Sequence, residues 1–372
     1  MNAAWGRSDV IHLEVGQPDF ATPAHVIAAA NEAALSGHTG YTPTAGIPEL
    51  RNALAGKIRE RNGFEIEPHQ VVLGSGGAQA IHATLVTLTE PGDGVLLPDP
   101  AWPNFAMMAA LLGLEVSPYS LTAAGGYVPD LEDLEKLITP RTRVLVLNSP
   151  SNPLGSVIDA ERIASLVAFA ARHDLWVLSD ECYDEITFDG PAVSPARFDT
   201  DGRVATVYSF SKTYAMTGWR LGYVAAPPEV ADVLTKAQEP LISCNNTPTQ
   251  YAAMAALESA PEVVGAMVAA YRQRRDTVVG QLTASGIAAF RPAGAFYTWV
   301  DVSACRAASR DFALRLLSEE GVAVAPGSAF GPGGEGFVRI SLAAQEGDLE
   351  EGCTRLAALW HRERDTQQNP PG

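Results

Sequence analysis

Lys212 closes the segment Ser209-Phe210-Ser211-Lys212, which follows an apolar run. A lone lysine at such a place is ordinarily a solvated loop residue. Here both flanks are apolar or hydroxyl-bearing, so Lys212 is expected to project into a partly buried cleft. Burial disfavours an ammonium and leaves a free amine, a nucleophile suited to Schiff-base formation with a carbonyl. Arg220 lies between Trp219 and the run Leu221-Gly222-Tyr223-Val224-Ala225. It reads as a surface ion-pair partner or, if semi-buried, as a fork for an anion such as phosphate. Asp180 ends the run Trp176-Val177-Leu178-Ser179, where an unpartnered carboxylate is costly. It could cap the next element, or it could pair with a protonated ring nitrogen. Tyr183, three residues on, and Asn152, after a neighbouring run, could hydrogen-bond an oxygen on the same ring.

The glycine-rich stretch Gly74-Ser75-Gly76-Gly77-Ala78 follows an apolar run and precedes a helical pattern starting near Gln79. Free backbone N–H groups and the helix dipole there favour a phosphate. A plain tight turn accounts for the glycines equally well. The spacing is neither GxGxxG nor a Walker loop, which weakens nicotinamide and ATP readings.

The elements that position these residues alternate. Short apolar runs at Val71–Leu73, Val95–Leu97, Val144–Leu147, Trp176–Leu178, Val204–Tyr208 and Leu221–Ala225 read as strands covered on both faces. Helical patterns such as Ala160–His173 separate them, which predicts a mainly parallel, doubly covered sheet. Ligands of such sheets bind beyond the carboxyl ends of the strands, and Gly74–Gly77, Asp99–Trp102, Asn148–Asn152, Asp180–Tyr183 and Ser209–Lys212 each follow an apolar run. Further on, a long helix over Pro261–Ser285, short strands around Phe296–Trp299 and Phe337–Ile340, and a helix over Gly347–Arg362 predict a second, α+β unit. The polar segment from Asp365 to Gly372 is expected to be unstructured.

With 26 basic and 43 acidic side chains the net charge is −17. That repels phosphate backbones and anionic lipid, so neither nucleic acid nor membrane is an expected partner. The apolar runs fall short of the ~20 residues of a membrane helix. Met1 to Trp5 has no signal-peptide pattern, so a cytoplasmic protein is the expectation. Cys182, Cys244, Cys305 and Cys353 lack the spacing of a zinc site or a disulfide framework, and no metal is expected.

Asn152-Pro153-Leu154-Gly155, Ser179-Asp180-Glu181-Cys182-Tyr183 and the stretch from Ser209 to Tyr223 resemble the class I/II aminotransferases of pyridoxal-phosphate (PLP) fold type I, in their bacterial aspartate/aromatic branch. The resemblance extends from Gly16-Gln17-Pro18-Asp19-Phe20 through the motif starting at Tyr41 to Phe337-Val338-Arg339-Ile340-Ser341, almost the whole chain. It implies an α/β fold with a mainly parallel seven-stranded sheet in a large domain over 24–271. A smaller α+β domain would combine 1–23 with 272–364, ahead of a disordered tail over 365–372. It also implies transfer of an amino group between an amino acid and a 2-oxo acid in two half-reactions on pyridoxal 5'-phosphate. Lys212 would form the Schiff base and shuttle the proton. Asp180 would pair with the pyridinium, while Asn152 and Tyr183 hold the phenolic oxygen and Trp102 stacks on the ring. The backbone of Gly76, Gly77 and Ala78, with Ser209 and Arg220, would bind the phosphate. Tyr41 would reach the phosphate of a second subunit, which makes the homodimer obligatory. Arg339 would bind the substrate carboxylate, helped by Gly16 and Asn152, although by type alone it reads as an edge-strand arginine. Leu154 departs from the family's usual threonine, with little effect expected, and an N-terminal helix common in the family is expected to be missing or truncated. A β-lyase, decarboxylase or cyclase on the same scaffold, and a non-catalytic PLP-binding regulator, remain as alternatives.

Overall fold

The computed structural model describes residue 4, residues 6–258 and residues 260–368. Its strands in chain order are β1 (Ile11–His12), β2 (Val71–Gly74), β3 (Gly94–Asp99), β4 (Glu115–Ser120), β5 (Thr142–Asn148), β6 (Trp176–Asp180), β7 (Val204–Ser209), β8 (Gly222–Ala225), β9 (Tyr297–Asp301), β10 (Val322–Ala323), β11 (Ala325–Pro326) and β12 (Phe337–Ser341). Seven of them form one sheet in the order β2-β8-β7-β6-β5-β3-β4. β8 alone runs against its neighbours, pairing antiparallel with both β2 and β7.

The apolar runs form strands because both faces are covered. Val144 and Val146 enter one core while Leu145 and Leu147 enter another, so alternate side chains face opposite layers and all are apolar. Helix Ala160–Arg172 covers one layer, and Asp159 caps it by accepting the Arg162 N–H at 2.8 Å. β4 escapes this pattern. It is an edge strand, mostly exposed, and carries Pro118, which an edge tolerates.

β11, β12 and β9 form a separate antiparallel sheet with β12 in the middle. β1 pairs with β10, and Leu13 bridges the two units: its N–H donates to Ala323 O and its carbonyl accepts the Ser341 N–H at 2.8 Å. The long helix runs Ala260–Ala284, and the last described helix runs Glu346–Gln368. Residues 365–368 therefore continue that helix rather than joining a disordered tail; Gln367 and Gln368 favour it, and Asp365 and Thr366 extend a helix that is already running. Residues 369–372 lie outside the described residues. Among the described residues, no single helix is long and apolar enough to cross a membrane.

Candidate active site

The carboxyl ends of β2, β3, β5, β6 and β7 share one sheet edge with the start of β8. Register makes the crowding explicit, since Gly222 stands opposite Gly74 on one side and Ser209 on the other. A side chain at Gly222 would meet the Gly76 carbonyl carbon and the Gly77 nitrogen, each at 2.8 Å. One at Gly77 would meet Cys182 Sγ at 2.6 Å. The glycines are thus required by close approach. Helix Gly76–Leu88 begins three residues earlier than the apolar pattern suggested, and no side chain caps its first turn. Gly76, Gly77 and Ala78 therefore present free N–H groups at the positive end of a helix dipole.

Ser209 lies beside Gly77, buried, accepting the Ser211 N–H at 3.1 Å. Arg220 leans over Gly76 and donates to Thr217 O at 2.8 Å and Ser75 O at 3.3 Å. It is exposed on its own chain rather than semi-buried, because it stands at the open mouth of a cleft of about 830 Å³. Among the described residues it has no carboxylate partner, so the surface ion-pair reading fails.

Lys212 stands three residues past the end of β7, and its amine donates to Gly16 O. Burial lowers its amine to about 8. Asp180, 5% exposed on the adjacent strand, is raised by burial. One of its oxygens accepts the Cys182 N–H at 3.1 Å, so part of the local-cap reading holds. Among the described residues no cationic side chain forms a salt bridge with it. Tyr183 is buried, and its hydroxyl meets the Tyr297 hydroxyl at 3.0 Å. Trp102 sits in the turn after β3, edge-on to Phe105 at 5.4 Å.

Arg339 belongs to the central strand of the small sheet and is 6% exposed. It donates to Asn152 Oδ1 at 2.9 Å and to Glu14 O at 2.7 Å, while its Nε has no partner among the described residues. Tyr297 and Phe330 face its guanidinium at 4.2 and 4.9 Å. A buried cation flanked by two aromatic rings, with an unused donor and no carboxylate, is arranged for an anionic ligand. Gly16 closes the group, since a Cβ there would lie 2.9 Å from the Tyr297 hydroxyl. Tyr297, which links Tyr183, Gly16 and Arg339, was not among the expected site residues. In the sequence it lies in a predicted short strand, in the segment Pro292–Tyr297 that would suit a neutral or aromatic substrate side chain, and only the fold of β9 against β12 brings it to Arg339.

The family model for aminotransferase class I and II matches residues 8–356. The chain belongs to this family. The aspartate/prephenate aminotransferase of Thermus thermophilus is 39% identical over 95% of this chain and 92% of its own length. Aromatic-amino-acid aminotransferase 2 of Thermococcus litoralis is 38% identical over 95% and 92%. The solved structure of the Thermus thermophilus aspartate aminotransferase with maleate superposes with a TM-score of 0.91 at 39% identity, covering 94% of this chain and 92% of that one. This aminotransferase accordingly has the fold type I architecture, and with these relatives the non-catalytic reading falls away. One residue of the expected site stands apart from the rest: Tyr41 is 92% exposed on its own chain. It borders a shallow depression with Cys244, Asn245 and Asn246.

Proposed function

We propose that this aminotransferase carries pyridoxal 5'-phosphate on Lys212 and works as a homodimer on an amino acid and a 2-oxo acid. The observation that carries the cofactor reading is Asp180, a buried carboxylate with no cationic side chain in salt-bridge contact, one strand from an amine lowered to about 8. A cationic group brought by a ligand would offset the cost of that burial for the ionised carboxylate. The uncapped helix start, the glycine cradle and the unpaired Arg220 suit the same ligand's phosphate.

Bound there, the cofactor supplies an aldehyde for the lysine amine and a ring that withdraws electrons from the substrate Cα. The chain does the rest. Asp180 keeps the ring nitrogen protonated, and Asn152 and Tyr183 orient the ring oxygen. Arg339 takes the substrate α-carboxylate as a bidentate pair, and its bond to Asn152 Oδ1 aligns substrate and ring. As a free amine Lys212 would move the proton at Cα, a task for which burial, by disfavouring its ammonium form, suits it. Residues 1–23 with 272–364 would close over residues 24–271 and exclude water. Tyr41, idle in its own subunit, would complete the phosphate site of a second copy. A cytoplasmic location is proposed with it, on the acidic composition and the four free thiols.

The test is an absorbance panel on purified, cofactor-loaded protein against each common amino acid. Bleaching of the visible band by a donor, reversed by a 2-oxo acid with release of the matching products, is expected. A protein that shows no visible band with added cofactor would overturn the assignment of Lys212.

A further inference from the structure

Beside the turns that carry Tyr183 and Lys212 lies a cluster of four charges. Lys57, the last residue of helix Pro48–Lys57, is 8% exposed, with its ammonium turned inward. It pairs with Asp184 and, at 3.5 Å, with Glu185, and it donates to Asn62 Oδ1 at 3.0 Å. Arg61 pairs with Glu185, which makes the set neutral. The Lys57 ammonium also faces the Tyr208 ring at 4.8 Å.

The partners are placed in an informative way. Asp184 and Glu185 directly follow Tyr183. Thr213 and Tyr214 directly follow Lys212, and they donate to Asp184 Oδ1 at 3.5 Å and Glu185 Oε1 at 3.3 Å. Tyr208 directly precedes Ser209. One cation therefore ties together the turns that carry Tyr183, Lys212 and Ser209. A single π-helical turn, Ile58–Asn62, follows Lys57 and brings Arg61 and Asn62 to the same cluster; such turns recur at functional sites.

Stability alone is a weak reason for such an arrangement. Replacing a buried ion pair by apolar side chains of similar volume is often neutral or stabilising. We infer that Lys57 is a positioning residue, with Asp184 as its counterpart, that fixes the Lys212 amine relative to Tyr183. This rests on the proposed roles of Lys212 and Tyr183. Losing the ammonium would leave an excess of negative charge beside the Lys212 turn and loosen that turn toward water. Both effects favour protonated Lys212.

The test compares Lys57→Met, and the neutral double variant Lys57→Met/Asp184→Leu, with wild type. On cofactor-free protein, reductive methylation of Lys212 is followed by peptide mass spectrometry across pH. On the loaded dimer, kcat, KM and melting temperature are measured. In Lys57→Met the midpoint of Lys212 labelling should rise by about one pH unit. In both variants kcat should fall about ten- to a hundredfold, with KM moving far less. The double variant should recover the melting temperature without recovering kcat. If Lys57→Met folds poorly, the double variant carries the test. Wild-type labelling midpoint and kcat in the variants, or kcat returning with the melting temperature in the double, would overturn the role of Lys57. The labelling readout needs no cofactor, so a wild-type protein that exchanges no amino group would count against the proposed function alone.

Discussion

Arg339 is the side chain whose replacement should separate binding from chemistry. Lysine keeps the charge but loses the planar fork, so Arg339→Lys should forfeit about 2 kcal/mol of carboxylate recognition. That is about thirtyfold in kcat/KM, felt mainly in KM, and steady-state kinetics with the best donor would measure it. Lys212 offers a pH test with a definite sign. Its amine is lowered to about 8 by burial, so below that pH the reactive free base is the minor species. The rate at which cofactor-free protein acquires the visible band should climb about tenfold per pH unit up to about 8 and then level off. A rate that kept climbing toward the ordinary lysine range would show that the amine is not desolvated.

Among the elements, the start of β8 is the least forgiving. The three atoms nearest a methyl group at Gly222 are all backbone, at 2.8 Å, and backbone gives way less readily than the end of a side chain. Gly222→Ala should cost about 1–3 kcal/mol of stability and weaken cofactor retention by more than that loss alone explains. Gly218→Ala, with open space around it, is the control. Thermal unfolding with and without cofactor distinguishes the two. The sequence made β2, β3 and β5 through β8 legible because their apolar runs answer to burial on both faces. β4 was not legible, since its exposed positions follow no hydrophobic pattern. Site residues that end strands were legible for the same reason the strands were. Lys57 and Tyr297 were not: a lysine at a helix end and a tyrosine beside a phenylalanine acquire their roles only from partners far along the chain.

For the molecule as a whole, the exposed Tyr41 makes a complementation test possible. In a mixed dimer of Lys212→Ala and Tyr41→Ala subunits, one site would carry both defects and the other neither. Mixing the two weak variants under conditions that exchange subunits should therefore restore activity, to at most about half of wild type per heterodimer, by the symmetry of the pair. No recovery on mixing would mean that Tyr41 acts within its own chain or not at all. A last consequence follows from the bond between Lys212 and the Gly16 carbonyl. The atom meant to react is also the buckle of the N-terminal strap, and an amine engaged elsewhere cannot hold both posts. Amide hydrogen exchange along residues 10–20 should then quicken when Lys212 is occupied and slow when it is released, so that the protein's own breathing keeps time with its chemistry.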